Sequence, residues 1–131
     1  MKKLLILIFI LYSSIVFADN PKKLAKEIQR DISNQLPQKL SKNLLLRTVI
    51  SNNETLIFNV MLLYNKEFLQ TKLKQSGRTM DSIKSQMKQM AKNTICSNAL
   101  LSSFINIGGK IHYNYSFQNG EHYLLKEVNN C

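Results

Sequence analysis

Two cysteines, Cys96 and Cys131, constrain this chain of 131 residues more than any other feature, because the sequence contains no others. Cys96 lies late in a run with a helical period, and Cys131 follows two strand-like runs. A disulfide between them would tie a hairpin to a helix and contribute about 4 kcal/mol in the chain-entropy model. Catalytic pairs usually lie in C-x-x-C motifs at helix N-termini. The spacing therefore favours a structural bond over a redox site, with intermolecular pairing through Cys131 as the alternative.

The first 18 residues predict the oxidising compartment that a disulfide requires. Lys2 and Lys3 precede an apolar run over residues 4–11, and Val16-Phe17-Ala18 offers a signal-peptidase site. We therefore predict a signal peptide over 1–18, cleavage near Ala18, and a single α+β domain over 19–131 that is periplasmic or secreted. The alternative is an uncleaved membrane anchor.

The charge of the chain is strongly basic, with 18 Lys and Arg against eight Asp and Glu. Two lysines fall in the predicted signal peptide, so residues 19–131 carry a net charge of +8. Arginine is preferred for bidentate recognition of phosphate, yet only three of the basic residues are arginine. The composition thus favours loose attraction to anionic lipid or peptidoglycan surfaces over specific nucleic-acid recognition, and a solvated basic surface without a binding role is the simpler interpretation. Lys84, Lys88 and Lys92 recur at i+4 and form a candidate interaction face.

Local patterns predict the order α-β-β-α-β-β. Asn20-Pro21 begins an amphipathic helix over 21–35, and strands over 44–50 and 55–64 flank a turn at 51–54. A second helix, beginning at Thr79 and kinked near 94–97, ends at Gly108-Gly109. The final strands, 111–117 and 123–128, flank Asn119-Gly120, a dipeptide favoured in type I′ turns. Residues 65–77 fit either a strand extension or a helix.

The predicted fold class is α+β. Two β-hairpins form one antiparallel four-stranded sheet, two helices pack on one face of it, and one disulfide closes the structure. The strand over 55–64 is polar only at Asn59, so we expect it to be central.

One pair of side chains is a weak candidate for catalytic chemistry. The final turn places His112 near Glu127 across the hairpin and His122 opposite Phe117. Two such groups without a nucleophile or a third orienting residue do not form a triad, so solvent-facing strand residues are the favoured interpretation. We predict no enzymatic activity, no metal and no cofactor.

Two apolar patterns favour a core over a binding site. Tyr113, Tyr115 and Phe117 share one strand face, which is more often core than a stacking platform for nucleic acid or glycan. Met80, Met87 and Met90 lie at helical spacing, which is more often core filling than a copper site.

The tail of the chain resembles a family of small exported bacterial proteins. The residues that carry the likeness are Cys96, Gly109-x-x-x-Tyr113-x-Tyr115, Gly120 and Cys131. They are similar to α+β helper domains of cystatin-like shape that serve secretion, conjugation or envelope assembly. The resemblance implies a binding role without catalysis.

We therefore expect a non-catalytic helper that binds another envelope protein. One alternative is an inhibitor or immunity protein that acts on a cell-wall enzyme or toxin through an exposed loop at 65–77. Another is a basic protein that binds lipid or peptidoglycan.

Overall fold

Residues 20–131 are described by a computed structural model, and the predicted signal peptide and its cleavage site lie outside these residues. Within this range the chain forms four helices and five strands. The helices are α1 (Pro21–Ser33), α2 (Lys66–Ser76), α3 (Met80–Ser97) and α4 (Ala99–Asn106). The strands are β1 (Gln38–Ser41), β2 (Leu44–Asn52), β3 (Thr55–Leu62), β4 (Lys110–Ser116) and β5 (His122–Val128). None of these helices is long and apolar enough to cross a membrane.

The sheet has five strands in the order β1-β2-β3-β4-β5 and is mixed. Strands β3 and β4 pair in parallel, and the other neighbours are antiparallel. The predicted antiparallel four-stranded sheet is therefore wrong in two details, because the sheet has a fifth strand and one of its strand pairs is parallel. The three helices between β3 and β4 return the chain to the end of the sheet where β3 began, which requires a parallel pair. The predicted central position of β3 is confirmed.

The additional strand, β1, escaped prediction because it has no apolar alternation. Its four residues are all exposed, and its register with β2 shifts between Lys39 and Ser41. A short polar segment of this kind pairs at an edge through backbone hydrogen bonds. Such pairing leaves no periodic pattern of apolar side chains in the sequence.

Helix ends follow the capping rules. The Asn20 side chain accepts a hydrogen bond from the Lys23 N–H with Pro21 at the first helical position, and Thr79 caps α3 in the same way. The helix predicted from Thr79 to Ile107 is two helices, because Asn98 is extended (φ −91°, ψ 121°). Its side chain accepts from the Leu101 N–H at 3.0 Å and begins α4.

The ambiguous segment 65–77 is helix α2. Asn65 accepts a hydrogen bond from the Phe68 N–H at 3.0 Å, and Gly77 ends the helix with φ +69°. Leu69 and Leu73 are buried in the common core. The exposed loop on which the inhibitor alternative depended is therefore absent from this segment.

One face of the sheet is covered by helices. Helix α1 packs on β2 and β3, while α3 and α4 pack on β5 and β4. The Gln29 side chain of α1 accepts hydrogen bonds from the Ser51 N–H and hydroxyl, which fixes α1 on β2. The predicted aromatic stripe lies on this covered face, where Tyr113, Tyr115 and Phe117 are buried, so its interpretation as core is confirmed.

The predicted disulfide joins Cys96, near the end of α3, to Cys131, with 5.6 Å between their Cα atoms. It connects the residues after β5 to α3. We call this connection the clamp.

The final hairpin differs from the predicted type I′ turn. Gly120 has φ +91°, and Asn119 is not among the residues with positive φ, whereas a type I′ turn requires positive φ at both central positions. The loop is closed by the Phe117 N–H, which donates to the Glu121 carbonyl at 2.8 Å. A register shift between Tyr115 and Ser116 pairs His122 with Ser116, so the predicted position opposite Phe117 is wrong.

Candidate protein-interaction site

The second face of the sheet carries no helix in the described part of the chain and mixes polar and apolar side chains. Thr48, Asn59 and Asn114 form a ladder across β2, β3 and β4. Asn59 Nδ2 donates to Thr48 Oγ1 at 2.9 Å, and Asn114 Nδ2 donates to Asn59 Oδ1 at 3.1 Å. Beside the ladder, Ile50 and Leu125 are 47% and 50% exposed. We call this surface the open face.

His112 and Glu127 lie opposite each other on the open face, in the register that the sequence predicted. His112 Nε2 is 3.7 Å from Glu127 Oε1, and both side chains are partly exposed. Neither residue lines the groove described below. Among residues 20–131 no cluster of three His, Cys, Asp or Glu side chains could hold a metal ion. The pair can form a weak surface ion pair.

The tyrosine hydroxyls are in poorly hydrated surroundings. Burial raises the pKa of Tyr113 from 10.0 to about 12. Burial, followed by repulsion from Tyr64, raises the pKa of Tyr123 to about 12. Burial, followed by repulsion from Tyr113, also raises the pKa of Tyr115. These hydroxyls stay protonated over the physiological pH range, so the covered face adds no negative charge.

An open groove of about 580 Å³ lies at one end of the sheet, where three connections and helix α2 meet. Its walls come from the β1–β2 turn, the end of β3, helix α2 and the β4–β5 loop. The lining residues are Lys42, Asn43, Leu63, Tyr64, Asn65, Phe68, Lys72 and Gln118.

Backbone hydrogen bonds between these connections hold the groove in shape. The Leu63 N–H donates to the Asn43 carbonyl at 2.9 Å, and the Gln118 N–H donates to the Tyr64 carbonyl at 3.1 Å. Because three separate connections are joined in this way, the groove is formed before any ligand binds. Preformed sites lose less conformational entropy on binding.

The groove combines aromatic surface with positive charge. The Tyr64 and Phe68 rings are 5.6 Å apart, and Lys72 Nζ lies 5.5 Å from the Phe68 ring centroid. Phe68 is 48% exposed. Within residues 20–131, neither Lys42 nor Lys72 makes an ion pair. The groove therefore suits an apolar side chain flanked by a carboxylate.

The sequence patterns did not identify the groove, because its residues come from four separate segments. One signal was available for its central wall. Asn65, Glu67 and Gly77 have the spacing of an N-cap, a first-turn acid and a C-terminal glycine. They would have predicted helix α2, although not its position against the β1–β2 turn.

The predicted basic row lies elsewhere, along α3 beside β5. Lys84 Nζ is 5.4 Å from the Tyr123 ring centroid, and Lys92 Nζ donates to Asn130 Oδ1 at 3.1 Å. Lys88, between them, is exposed. The row therefore borders the outer strand of the sheet and is separate from the groove.

Comparison with known proteins gives likeness in fold only. No protein-family model matches the chain, and no curated protein matches it. Three solved structures share the fold. The pilotin AspS of the type II secretion system from Vibrio cholerae is 15% identical, with a TM-score of 0.64 over 88% of this chain and 94% of its own.

The other two structures match a similar share of this chain. The pilotin EpsS of the Vibrio vulnificus type 2 secretion system is 11% identical, with a TM-score of 0.64 over 82% of this chain and 86% of its own. A candidate secreted protein from Pseudomonas aeruginosa is 14% identical, with a TM-score of 0.61 over 83% of this chain and 88% of its own. At these identities the comparisons establish the architecture alone, which this chain shares with two secretion-system pilotins and a candidate secreted protein.

Proposed function

We propose that this chain is a helper protein of the bacterial cell envelope that binds another protein of a secretion machine and performs no catalysis. The observation that carries the proposal is the fold shared with the two pilotins over most of each chain. The predicted signal peptide and the Cys96–Cys131 bond support an exported, oxidised protein.

The groove is the surface we assign to this binding. It is preformed, aromatic and positively charged, and aromatic side chains are enriched at protein interfaces relative to the rest of the surface. A partner segment that places an apolar side chain against Phe68 and a carboxylate near Lys42 and Lys72 would fit it.

A genetic experiment tests the function. Deletion of the gene in its own bacterium should lower the amount of secreted enzymes in the medium and the assembly of the envelope secretion complex. Immunoprecipitation of the tagged chain should recover a subunit of that complex, identified by mass spectrometry. Unchanged secretion and assembly, with no such subunit recovered, would overturn the proposal.

Variants test the assignment to the groove. Phe68→Ala and the pair Lys42→Glu/Lys72→Glu should weaken recovery of the subunit by about tenfold, as expected for a central aromatic anchor and a reversed charge. Gln75→Ala and Lys74→Glu serve as controls, because both residues are exposed on α2 and do not line the groove. Equal effects of the groove and control substitutions would show that the groove is not the binding site.

A further inference from the structure

Strand β5 is an edge strand with an available side. Among the described residues it pairs only with β4, so the opposite row of backbone N–H and C=O groups has no strand partner. The other edge, β1, is four residues long and interrupted by a register shift, which is a common way of preventing further pairing. Strand β5 has seven residues and could accept another strand along its length.

Helix α3 runs beside this edge from end to end. At the start of β5 the Tyr123 hydroxyl donates to Met80 Sδ at 3.4 Å, and at the other end Cys96 is bonded to Cys131. The helix between Met80 and Cys96 rises about 24 Å at 1.5 Å per residue. The extended segment from Tyr123 to Cys131 spans about 26 Å. The two elements therefore lie side by side in the same direction.

The basic row gives this edge a regular positive border. Lys84, Lys88 and Lys92 are one helical turn apart, about 6 Å each in rise. Alternate residues of a strand, which share one face, repeat about every 6.7 Å. A strand added outside β5 would therefore place every second side chain near a successive lysine.

The other face of such a strand would meet different neighbours. Leu125 lies on the open face opposite Asn114 and is 50% exposed. An added strand would place the remaining alternate side chains beside Leu125, where apolar residues bury exposed surface.

We propose that β5 accepts an extended acidic segment of a partner protein as a sixth strand. The segment carries Asp or Glu at alternate positions toward Lys84, Lys88 and Lys92, and apolar residues between them. Backbone hydrogen bonds to β5 provide affinity, and the alternating side chains provide specificity.

A second copy of this chain fits the edge less well. Pairing β5 with β5 would bring two lysine rows together, and each copy carries a net charge of +8 over residues 19–131. Like charges along a shared edge oppose association. The same charges favour an acidic segment, so the proposal commits to that occupant.

Two peptides test the proposal on the full-length mature protein. One alternates Glu and Val over the length of β5, and the other has the same composition with the Glu residues in one block. The alternating peptide should bind about tenfold more tightly than the block peptide, and its affinity should fall as salt rises from about 50 to 200 mM. Equal affinities would overturn the proposal.

Matched charge variants locate the site. Lys84→Glu/Lys88→Glu/Lys92→Glu should abolish the preference for the alternating peptide. Lys22→Glu/Lys26→Glu/Lys39→Glu changes the net charge equally on α1 and β1 and should keep it. The corresponding Gln variants of the α3 row, checked by thermal unfolding, separate a loss of charge from a loss of folding. Equal loss in both triple variants would show attraction by net charge alone.

Hydrogen exchange distinguishes strand addition from surface attraction. In the free protein, the outward amides at alternate positions of β5 should exchange rapidly, and the alternating peptide should protect them. Binding without new protection in β5 would overturn the proposal, and so would full protection in the free protein. These results do not depend on the proposed function, because a secretion defect on gene deletion is measured separately.

Discussion

At the scale of single residues, the buried tyrosines make the free energy of unfolding fall as the pH rises through the alkaline range. The pKa of Tyr113 is raised to about 12 in the folded protein, whereas the unfolded chain releases this proton near 10.0. The folded state therefore holds the proton more tightly between these values. The stabilisation that Tyr113 contributes is therefore fully present below pH 10 and is lost as the pH rises toward 12.

We predict that Tyr113→Phe reduces this pH dependence. Removing one titrating hydroxyl should lower the slope of unfolding free energy against pH by about 1.4 kcal/mol per unit between pH 10 and 12. Urea unfolding at several pH values measures the slope. A Tyr64→Phe variant is a useful comparison, since Tyr64 is only partly buried, although burial raises its pKa as well. An unchanged slope in Tyr113→Phe would contradict the prediction.

Position 109 requires glycine, because the backbone there lies close to the Phe104 ring. A Cβ atom at this position would lie 2.5 Å from the Phe104 ring, which is fully buried. The Gly109 N–H also donates to the Phe104 carbonyl at 2.9 Å, so the backbone has little freedom to move away.

Gly109→Ala should therefore destabilise the protein by about 1–3 kcal/mol through overpacking. Denaturant unfolding of Gly109→Ala, Phe104→Leu and the double variant forms a thermodynamic cycle. The double variant should cost less than the sum of the single variants, because the smaller side chain makes room for the new methyl group. Additive costs would show that the strain does not involve the ring.

At the scale of elements, the clamp stabilises β5 more than any other part of the sheet. Replacing both cysteines by alanine should lower the free energy of unfolding by about 2–4 kcal/mol. Hydrogen exchange should show β5 amides opening more easily than those of β3. Reduction of the wild-type protein should reproduce both effects, and a loss below about 1 kcal/mol would contradict the assignment of the bond as structural.

Elements with a complete local signal were predictable. Helix α1 has an N-cap, a proline and an apolar stripe, and the β2–β3 hairpin has a turn in which Asn53 adopts positive φ (54°). The kink predicted near 94–97 lies just before the break at Asn98, but the complete separation into two helices was not predicted, because an apolar period continues from Ile95 to Leu101. The capping asparagine interrupts the hydrogen bonding and leaves that period intact.

Pairing between distant segments was not predictable from local patterns. The parallel contact of β3 with β4 aligns Thr55 with Lys110 across 55 positions of sequence. Its direction depends on how three helices cross the sheet. The groove has the same origin, since Lys42, Tyr64 and Gln118 meet only after the sheet is complete. The basic row was predictable because its i+4 spacing is local, but its place beside β5 was not.

At the scale of the whole molecule, positive charge is spread over several surfaces. Lysines lie on α1, β1, α2 and α3, so attraction to a membrane should depend on net charge more than on one face. We predict that the triple Glu variants on α3 and on α1 with β1 lower binding to anionic vesicles equally. Co-sedimentation at low and moderate salt measures this. A selective loss in the α3 variant would identify the lysine row as a membrane-binding face.

The clamp also determines how the molecule responds to force. A pull on the segment after β5 would ordinarily open its hydrogen bonds with β4 one at a time, beginning at Val128. Because Cys131 is bonded to Cys96, the load passes through a covalent link into α3 and bypasses those hydrogen bonds. A partner that pulls on residues 129–131 would therefore load helix α3 before the hydrogen bonds between β4 and β5.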